Sequence, residues 1–481
     1  MNTQTQQMYI GGKWMSAASG ETMPSVNPAT GEIIGYVPKG GRAEARWAID
    51  SAYEAFKKWS GTTAFFRAEL LLKVEALILE NSESLAKRLT MEQGKPLYEA
   101  KMEVANSAEQ FRWFAEEAKR INGETLPPTH EKKRVFVIKQ PLGVVAAITP
   151  WNFPLHIICR KIAAALAAGC TVVVKPSEET PLIALALAEL FDRANFPPGV
   201  VNFVTGIPEE IGQELFHNRK VAGITFTGST KVGKLILKEC ADTVKRVHLE
   251  LGGHAPVIVF EDADVDLAVE GTLINKLRNA GQTCVCANRI YVHRKIADDY
   301  IGKLAAKMQA KVLGNGLEEN VDLGPLINKE ALDKVERHVR DAVDKGAKMI
   351  CGGERARHLP GGYYFLPTIL RNVHEDMDLM KEETFGPVAP ILEFDDESKL
   401  IERINDTPNG LAAYFYTNDL ARVFRISEQL EFGVIGVNDT TPVVSHGPFG
   451  GLKESGIGRE GGKEGIEEFL ESKFVSIRLE S

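Results

Sequence analysis

Two of the chain's six cysteines, Cys284 and Cys286, lie one residue apart in the segment NAGQTCVCANR, Asn279 to Arg289. Four chemistries suit such a pair: a metal clip, a disulfide, two buried thiols, or a nucleophile with a companion. A structural zinc site draws four ligands from spaced Cys or His pairs, and a lone CxC without a second cluster is a poor match, so no metal is expected. Buried thiols are the commonest fate of cysteines in a chain of this kind. The small polar run before Cys284 instead favours a nucleophile: it reads as the opening of a helical turn, where backbone N–H groups lower a thiol's pKa.

A cysteine nucleophile needs a base and a donor for the oxyanion it creates. RVHLELGGHAP offers His248, Glu250 and His254. His248 alternates with Val247 and Leu249 and reads as a hydrogen-bonded structural residue. Glu250, just before Gly252 and Gly253, is a carboxylate that burial would raise toward neutrality, as a base requires. Asn152 in PWNFP presents an amide to an oxyanion or, more plainly, caps a helix.

Three further stretches suit a nucleotide. In TFTGSTKVG a strand passes through Gly228 and Ser229 into a helix with Gly233 on its first turns, an arrangement that can hold pyrophosphate but also occurs in phosphate-free turns. In VVVKPSEET, Lys175 ends a strand and Glu178 follows three residues on, suited either to a ribose or to a solvated strand end. GIGREG, Gly456 to Gly461, has the GxGxxG spacing but follows polar GLKES near the carboxyl terminus, so it reads as a turn or cap.

The elements that position these residues alternate. Residues 8–38 read as small hairpins and residues 44–120 as helices without evident chemistry. From RVFVIKQPLGVVAAITP onward, Val- and Ile-rich strands alternate with helices of ten to fifteen residues, the signature of a parallel sheet covered on both faces. A second α/β run begins near Gly252. The last strand, FVSIRL, has no sequence neighbour, and RVFVIKQ is its expected partner, the two extending a sheet in a partner subunit.

Composition bounds the function. The chain of 481 residues is 44% hydrophobic and 25% charged, and its net charge of -8 comes from 65 acids and 57 bases spread along it. Without clustered Lys and Arg, no nucleic-acid surface is expected. MNTQTQQMYIGGKW lacks the basic start and apolar core of a secretory signal, and no stretch approaches the roughly 18 to 20 apolar residues of a membrane helix. The expected location is the cytoplasm, with free thiols and no membrane partner.

Taken in order, TPWNFP, VVVKPSEETP, FTGSTKVG, LELGG, NAGQTC, KEETFGPV and PFGGLKESGIGRE resemble the aldehyde dehydrogenase superfamily, and the resemblance covers essentially the whole chain. It implies an α/β fold of three parts: a Rossmann-like nucleotide-binding domain (1–121 and 142–251), an α/β catalytic domain (252–453), and a small β bridging element for oligomerisation (122–141 and 469–481), with 454–468 as a connecting segment. It implies Cys284 as nucleophile, Glu250 as general base, and Asn152 with the backbone N–H of Cys284 as oxyanion hole. Thr149, Trp151, Lys175, Ser177, Glu178, Gly228, Ser229, Glu383 and Phe385 are the implied cofactor contacts. Glu178 would accept from a ribose 2′-hydroxyl and repel a 2′-phosphate, which favours NAD, with NADP admitted by Lys175 and Ser177.

KLRNAGQTC and HIICRKIAAAL are similar to the succinate-semialdehyde dehydrogenase branch, which implies Arg160 and Arg278 as ligands of a distal carboxylate; a pair of internal salt bridges is the alternative. The loop VNDTTPVVSHGPFGG departs from the branch, and Ser445 is displaced from the place of the serine that assists there. Succinate semialdehyde is therefore the expected substrate, with glutarate semialdehyde, lactaldehyde and glycolaldehyde as alternatives. Retention of Glu250 favours hydrolysis of the thioester over transfer to a thiol such as CoA. Retention of Cys284, Glu250 and Asn152 argues against a non-catalytic protein with this fold. A homodimer or homotetramer is the expected assembly, and Cys286 is the candidate redox partner of Cys284.

Overall fold

Val, Ala and Ile fill the strands Val144–Ile148 and Thr171–Lys175 almost without a polar break, because both faces of the sheet they form are covered. Alternate residues point to opposite faces. Val145, Ala147, Val172 and Val174 pack with Phe111, Leu166 and Leu187, whereas Val144, Ala146 and Val173 pack on the other side with Ala45, Ile49 and Ile211. The computed structural model describes residues 5–359 and 361–479; the outermost ends of the expected divisions, residues 1–4 and 480–481, lie outside it.

The parallel centre of this first sheet runs in the order Val201–Phe203, Thr171–Lys175, Val144–Ile148, Val221–Thr227, Arg246–Glu250. The chain enters in the middle at Val144–Ile148, winds outward to one side, then returns to wind the other way from Val221–Thr227. Strands Met8–Ile10 and Lys13–Met15 extend one edge antiparallel, and Gly456–Ile457 joins the other beside Arg246–Glu250. A second sheet has the order Lys348–Cys351, Thr368–Arg371, Val388–Phe394, Ala287–His293, Ala255–Val259, Ala412–Tyr416, Val434–Val437, parallel except at its first pair. Leu251 to His254 connect the sheets, so the carboxyl ends of the first meet the amino ends of the second.

The carboxyl-terminal strand Leu470–Arg478 pairs antiparallel with Lys133–Pro141, Phe474 opposite Val137, and Glu124–Leu126 completes a third sheet. Among the described residues no helix is long and apolar enough to cross a membrane.

The helix Pro154–Ala168 anchors the site. Proline at its first turn tolerates the missing N–H, and Gly169 at φ 98° ends it in the left-handed region that glycine occupies without strain. Its own sequence provides no amino-terminal cap. Glu103, from the helix Leu97–Ala118, supplies one by accepting from Leu155 N (3.0 Å) and His156 N (3.2 Å). The alternative role of Asn152 as helix cap is thus taken by a residue about fifty positions earlier in the chain.

Candidate active site

At the point where the first sheet reverses its winding, Ile148 pairs with both Phe226 and Lys175. Thr149 to Asn152, Ser177 and Glu178, and Gly228 and Ser229 consequently leave the sheet at one edge, where open α/β sheets bind ligands. Asn152, Trp151, Gly228, Ser229, Cys284 and Phe385 line a recess there of about 280 Å³, with Glu383 on its wall.

The recess suits a dinucleotide. The hydroxyls of Thr149 and Thr227 are buried without a hydrogen-bond partner, and a Cβ at Gly228 would fall 2.3 Å from the Phe226 ring, so the turn stays bare. Trp151 and Phe385 meet edge to face at 5.6 Å, Phe385 being held at φ 57°, rare for a bulky residue. Glu383 accepts from Gly253 N at 3.3 Å, and burial pushes its carboxyl up to about 7. Lys175 is not at a solvated strand end: it is 5% exposed and its Nζ lies 2.9 Å from Glu178 Oε2. Ser177 Oγ accepts from Glu179 N at 3.2 Å.

The structure overturns the expected setting of Cys284. Asn279 and Ala280 take left-handed φ angles of 50° and 55°, the turn before the cysteine breaks, and Cys284 lies in a loop leading to Ala287–His293 instead of opening a helix. Burial, then the carboxylates of Glu383 and Glu250, push its thiol up to about 12, and its own backbone N–H opposes them only weakly. Both cysteines are free thiols, Cys284 half-buried and Cys286 buried, its sulfur 4.0 Å from the Lys276 carbonyl. The Cys284 carbonyl lies where a Cβ at Gly253 would be 2.1 Å away, so this glycine lets the two sheets' connecting segments close on each other.

Glu250 ends its strand buried, with neither carboxyl oxygen hydrogen-bonded. It does not line the recess holding Cys284. Its Oε1 lies 2.9 Å from the Cβ position of Gly450 and 3.7 Å from His248 Nε2. Burial, followed by the charge of Glu460, raises its pKa well above the ordinary carboxylate value. Glu460 itself is pulled down to about 2 by Lys161, Arg160 and His248, despite its burial. Of the two buried carboxyls, Glu460 thus holds its charge more readily, and Glu250 is the one nearer Cys284. His248 Nδ1 bonds the Thr225 hydroxyl (3.1 Å) and His254 Nε2 the Met380 carbonyl (2.9 Å), structural roles for both histidines.

Asn152 is positioned from three directions. Its Nδ2 donates to Gln282 O (3.1 Å), and its backbone carbonyl accepts from Asn279 Nδ2 (2.9 Å) and Lys95 Nζ (2.8 Å), while its Oδ1 is buried without a partner. The Lys95 ammonium is fully buried and ion-paired with Glu103, the same carboxylate that caps the helix Pro154–Ala168. Removing one member of such a pair leaves an uncompensated charge, at a cost of about 3–5 kcal/mol.

The two arginines differ. Arg160 is buried, with its Nε 3.5 Å from Glu460 Oε2 and its guanidinium 4.6 Å from the Phe449 ring; Nε and Nη2 have no hydrogen-bond partner. Glu460 is already engaged by Lys161 Nζ at 2.6 Å. Arg278 has no ion pair or hydrogen bond among the described residues. It stacks on Phe153 at 5.0 Å and lines a second recess, of about 190 Å³, with Tyr98, Met102, Phe153 and Leu277. The nearby Glu99 carboxylate is occupied by Asn279 N (2.8 Å) and the Tyr98 hydroxyl (3.2 Å). The alternative of two internal salt bridges therefore holds only in part, for Arg160. Ser445 Oγ accepts from Gln110 Nε2 at 2.8 Å, which leaves its O–H donor uncommitted.

Sequence reading missed Lys95, Glu103, Lys161 and Glu460. The available signal was charge inside apolar helix faces, as in RKIAAAL; GIGREG, read as a turn or cap, instead contributes an edge strand and delivers the buried Glu460.

Residues 14–475 match the model of the aldehyde dehydrogenase family. A glutarate-semialdehyde dehydrogenase of Pseudomonas aeruginosa is 54% identical over 474 residues, 98% of this chain and 97% of that one. An NADP-dependent succinate-semialdehyde dehydrogenase of Escherichia coli is 52% identical, over 98% of both chains. The crystal structure of a succinate-semialdehyde dehydrogenase from Burkholderia pseudomallei, 50% identical, superposes with a TM-score of 0.97 over 98% of each chain. By the family model over residues 14–475 and relatives 54% and 52% identical over nearly the whole chain, the chain belongs to the aldehyde dehydrogenase family and is an NAD(P)-dependent aldehyde dehydrogenase.

Proposed function

We propose that the protein oxidises the semialdehyde of a short dicarboxylic acid, succinate semialdehyde first, to the diacid, with NAD preferred. The observation that carries this reading is Arg278: a guanidinium in a recess beside the Cys284 loop, stacked on an aromatic ring, with no ion pair or hydrogen bond among the described residues. Leaving such a charge unpaired is costly, and a substrate carboxylate is a partner of the right geometry. The relatives named for succinate and glutarate semialdehydes fit an acid of four or five carbons. Glu178, paired with Lys175, is the carboxylate that supports NAD, since a negative charge against the ribose would repel a 2′-phosphate.

Bound NAD(P) supplies the hydride acceptor. Cys284 loses its proton to solvent and its thiolate adds to the aldehyde carbon, and the Asn152 amide with the Cys284 N–H holds the oxyanion. Loss of hydride from that carbon leaves a thioester on Cys284. Glu250 turns from Gly450 toward the thioester and, as the carboxylate, takes a proton from the attacking water; the C–S bond breaks, Glu250 returns that proton to the departing Cys284 sulfur, and the acid leaves. The first sheet serves the dinucleotide and the second carries the nucleophile. The third, with Phe474 63% exposed on it, joins copies of the chain into a dimer or tetramer.

The test is Arg278→Met, assayed with succinate semialdehyde and butanal. A hydrogen-bonded charge contributes about 1.5–3 kcal/mol, so kcat/KM for the acid should fall about 10- to 100-fold while butanal is nearly unaffected. Equal losses for both aldehydes, or a wild-type enzyme without preference for the acid, would refute the assignment.

A further inference from the structure

Every residue of the helix Pro154–Ala168 is buried except His156. Arg160 lies four residues on and Phe153 three residues back, so the three side chains share one helix face. That face meets both arginines: Phe153 underlies Arg278, and Arg160 abuts Phe449. Whereas the backbone N–H of His156 is taken by Glu103, the ring nitrogen Nδ1 is buried with no partner. A polar side chain thus ends, unsatisfied, between two incompletely paired guanidiniums, on the one part of the helix that remains open.

We propose that His156 is a specificity-determining residue, donating an imidazole N–H to the anionic end of the substrate beside Arg160 and Arg278. The inference rests on the acid-semialdehyde reading above and extends it to a residue that no comparison assigns. The groups facing the ring are Arg160, Arg278 and Lys95, opposed by Glu460; burial first, then the two arginines, push its pKa down to about 3. The ring is therefore uncharged near neutrality and carries one N–H and one lone pair. Nδ1 has no partner, the cations nearby are donors, and Glu460 is engaged by Lys161, so an N–H on this ring finds an acceptor only when an anion is bound. A carboxylate offers about four acceptor positions, enough for two guanidiniums and an imidazole together. An uncharged alkyl aldehyde has no acceptor at that end.

The test compares wild type, His156→Leu and His156→Asn with succinate semialdehyde, glutarate semialdehyde and butanal, with thermal melting to verify folding. His156→Leu should raise KM for both acids about tenfold, leave kcat within about twofold, and not raise KM for butanal. Asparagine, whose amide nitrogen reaches about as far as Nδ1, should recover most of the lost affinity. Unchanged KM for the acids, an equal rise for butanal, or an effect confined to kcat would overturn the proposal. A wild type indifferent to the acid group would bring down the substrate reading and this inference together. A wild type that prefers acids, loses that preference in Arg278→Met and keeps it in His156→Leu would overturn the role of His156 alone.

Discussion

The nucleophile should be unreactive until the site is filled. With its thiol pushed up to about 12, Cys284 is about one part in ten thousand thiolate at pH 8, against roughly one in ten for a thiol near 9. The more basic thiolate is also the better nucleophile, and three pKa units return a factor of about 16 to 32. Net alkylation of the dinucleotide-free enzyme by iodoacetamide at pH 8 should therefore be about 30- to 60-fold slower than that of a small thiol near 9. The rate should rise about tenfold per pH unit from 7 to 10 without a plateau. Intact-mass kinetics with peptide mapping reads this cleanly, since the five other cysteines are buried. Glu383, at about 7, is about nine-tenths charged at pH 8, and Glu383→Gln should speed alkylation by removing the foremost of the nearby carboxylates. The cationic nicotinamide of NAD, occupying the same recess, should shift the profile to lower pH. A plateau in the dinucleotide-free profile below about pH 9 would show that burial and carboxylates do not govern this thiol, refuting the reasoning.

Glu178→Gln removes the charge that would meet a 2′-phosphate and releases Lys175; kcat/KM for NADP relative to NAD should rise at least about tenfold, and an unchanged ratio would mean Glu178 does not select the dinucleotide. Because the chain at Cys284 is a non-helical turn, Cys286 can approach it, and peroxide should cause a loss of activity that dithiothreitol reverses. Cys286→Ala should lose the reversibility, and retention of it would exclude the disulfide.

The sheets were readable because their strands are runs of Val, Ile and Ala, and the ligand edge because PWN, KPSE and TGS each follow such a run. The ordered motifs singled out Cys284, Glu250 and Asn152 as the proposed nucleophile, base and amide. The charge environment around them could not be read locally. Glu103 caps a helix from another helix, Lys95 reaches Asn152 from a stretch without evident chemistry, and Glu460 arrives on an edge strand from near the carboxyl terminus. Spacing shows where a side chain leaves the backbone, whereas its protonation depends on groups that only the tertiary fold brings near. The Cys284 thiol shows this most plainly: the small polar run suggested a lowered pKa, and the carboxylates and burial raised it.

The bare hydrogen of Gly253 against the Cys284 carbonyl has a wider meaning. The connection between the two large sheets and the Cys284 loop occupy the same few ångströms, so joint and proposed chemistry are one component. Were the halves to slide there, the nucleophile would move with them. The enzyme is therefore expected to accommodate its ligands by turning side chains such as Glu250, while the joint at Gly253 stays shut.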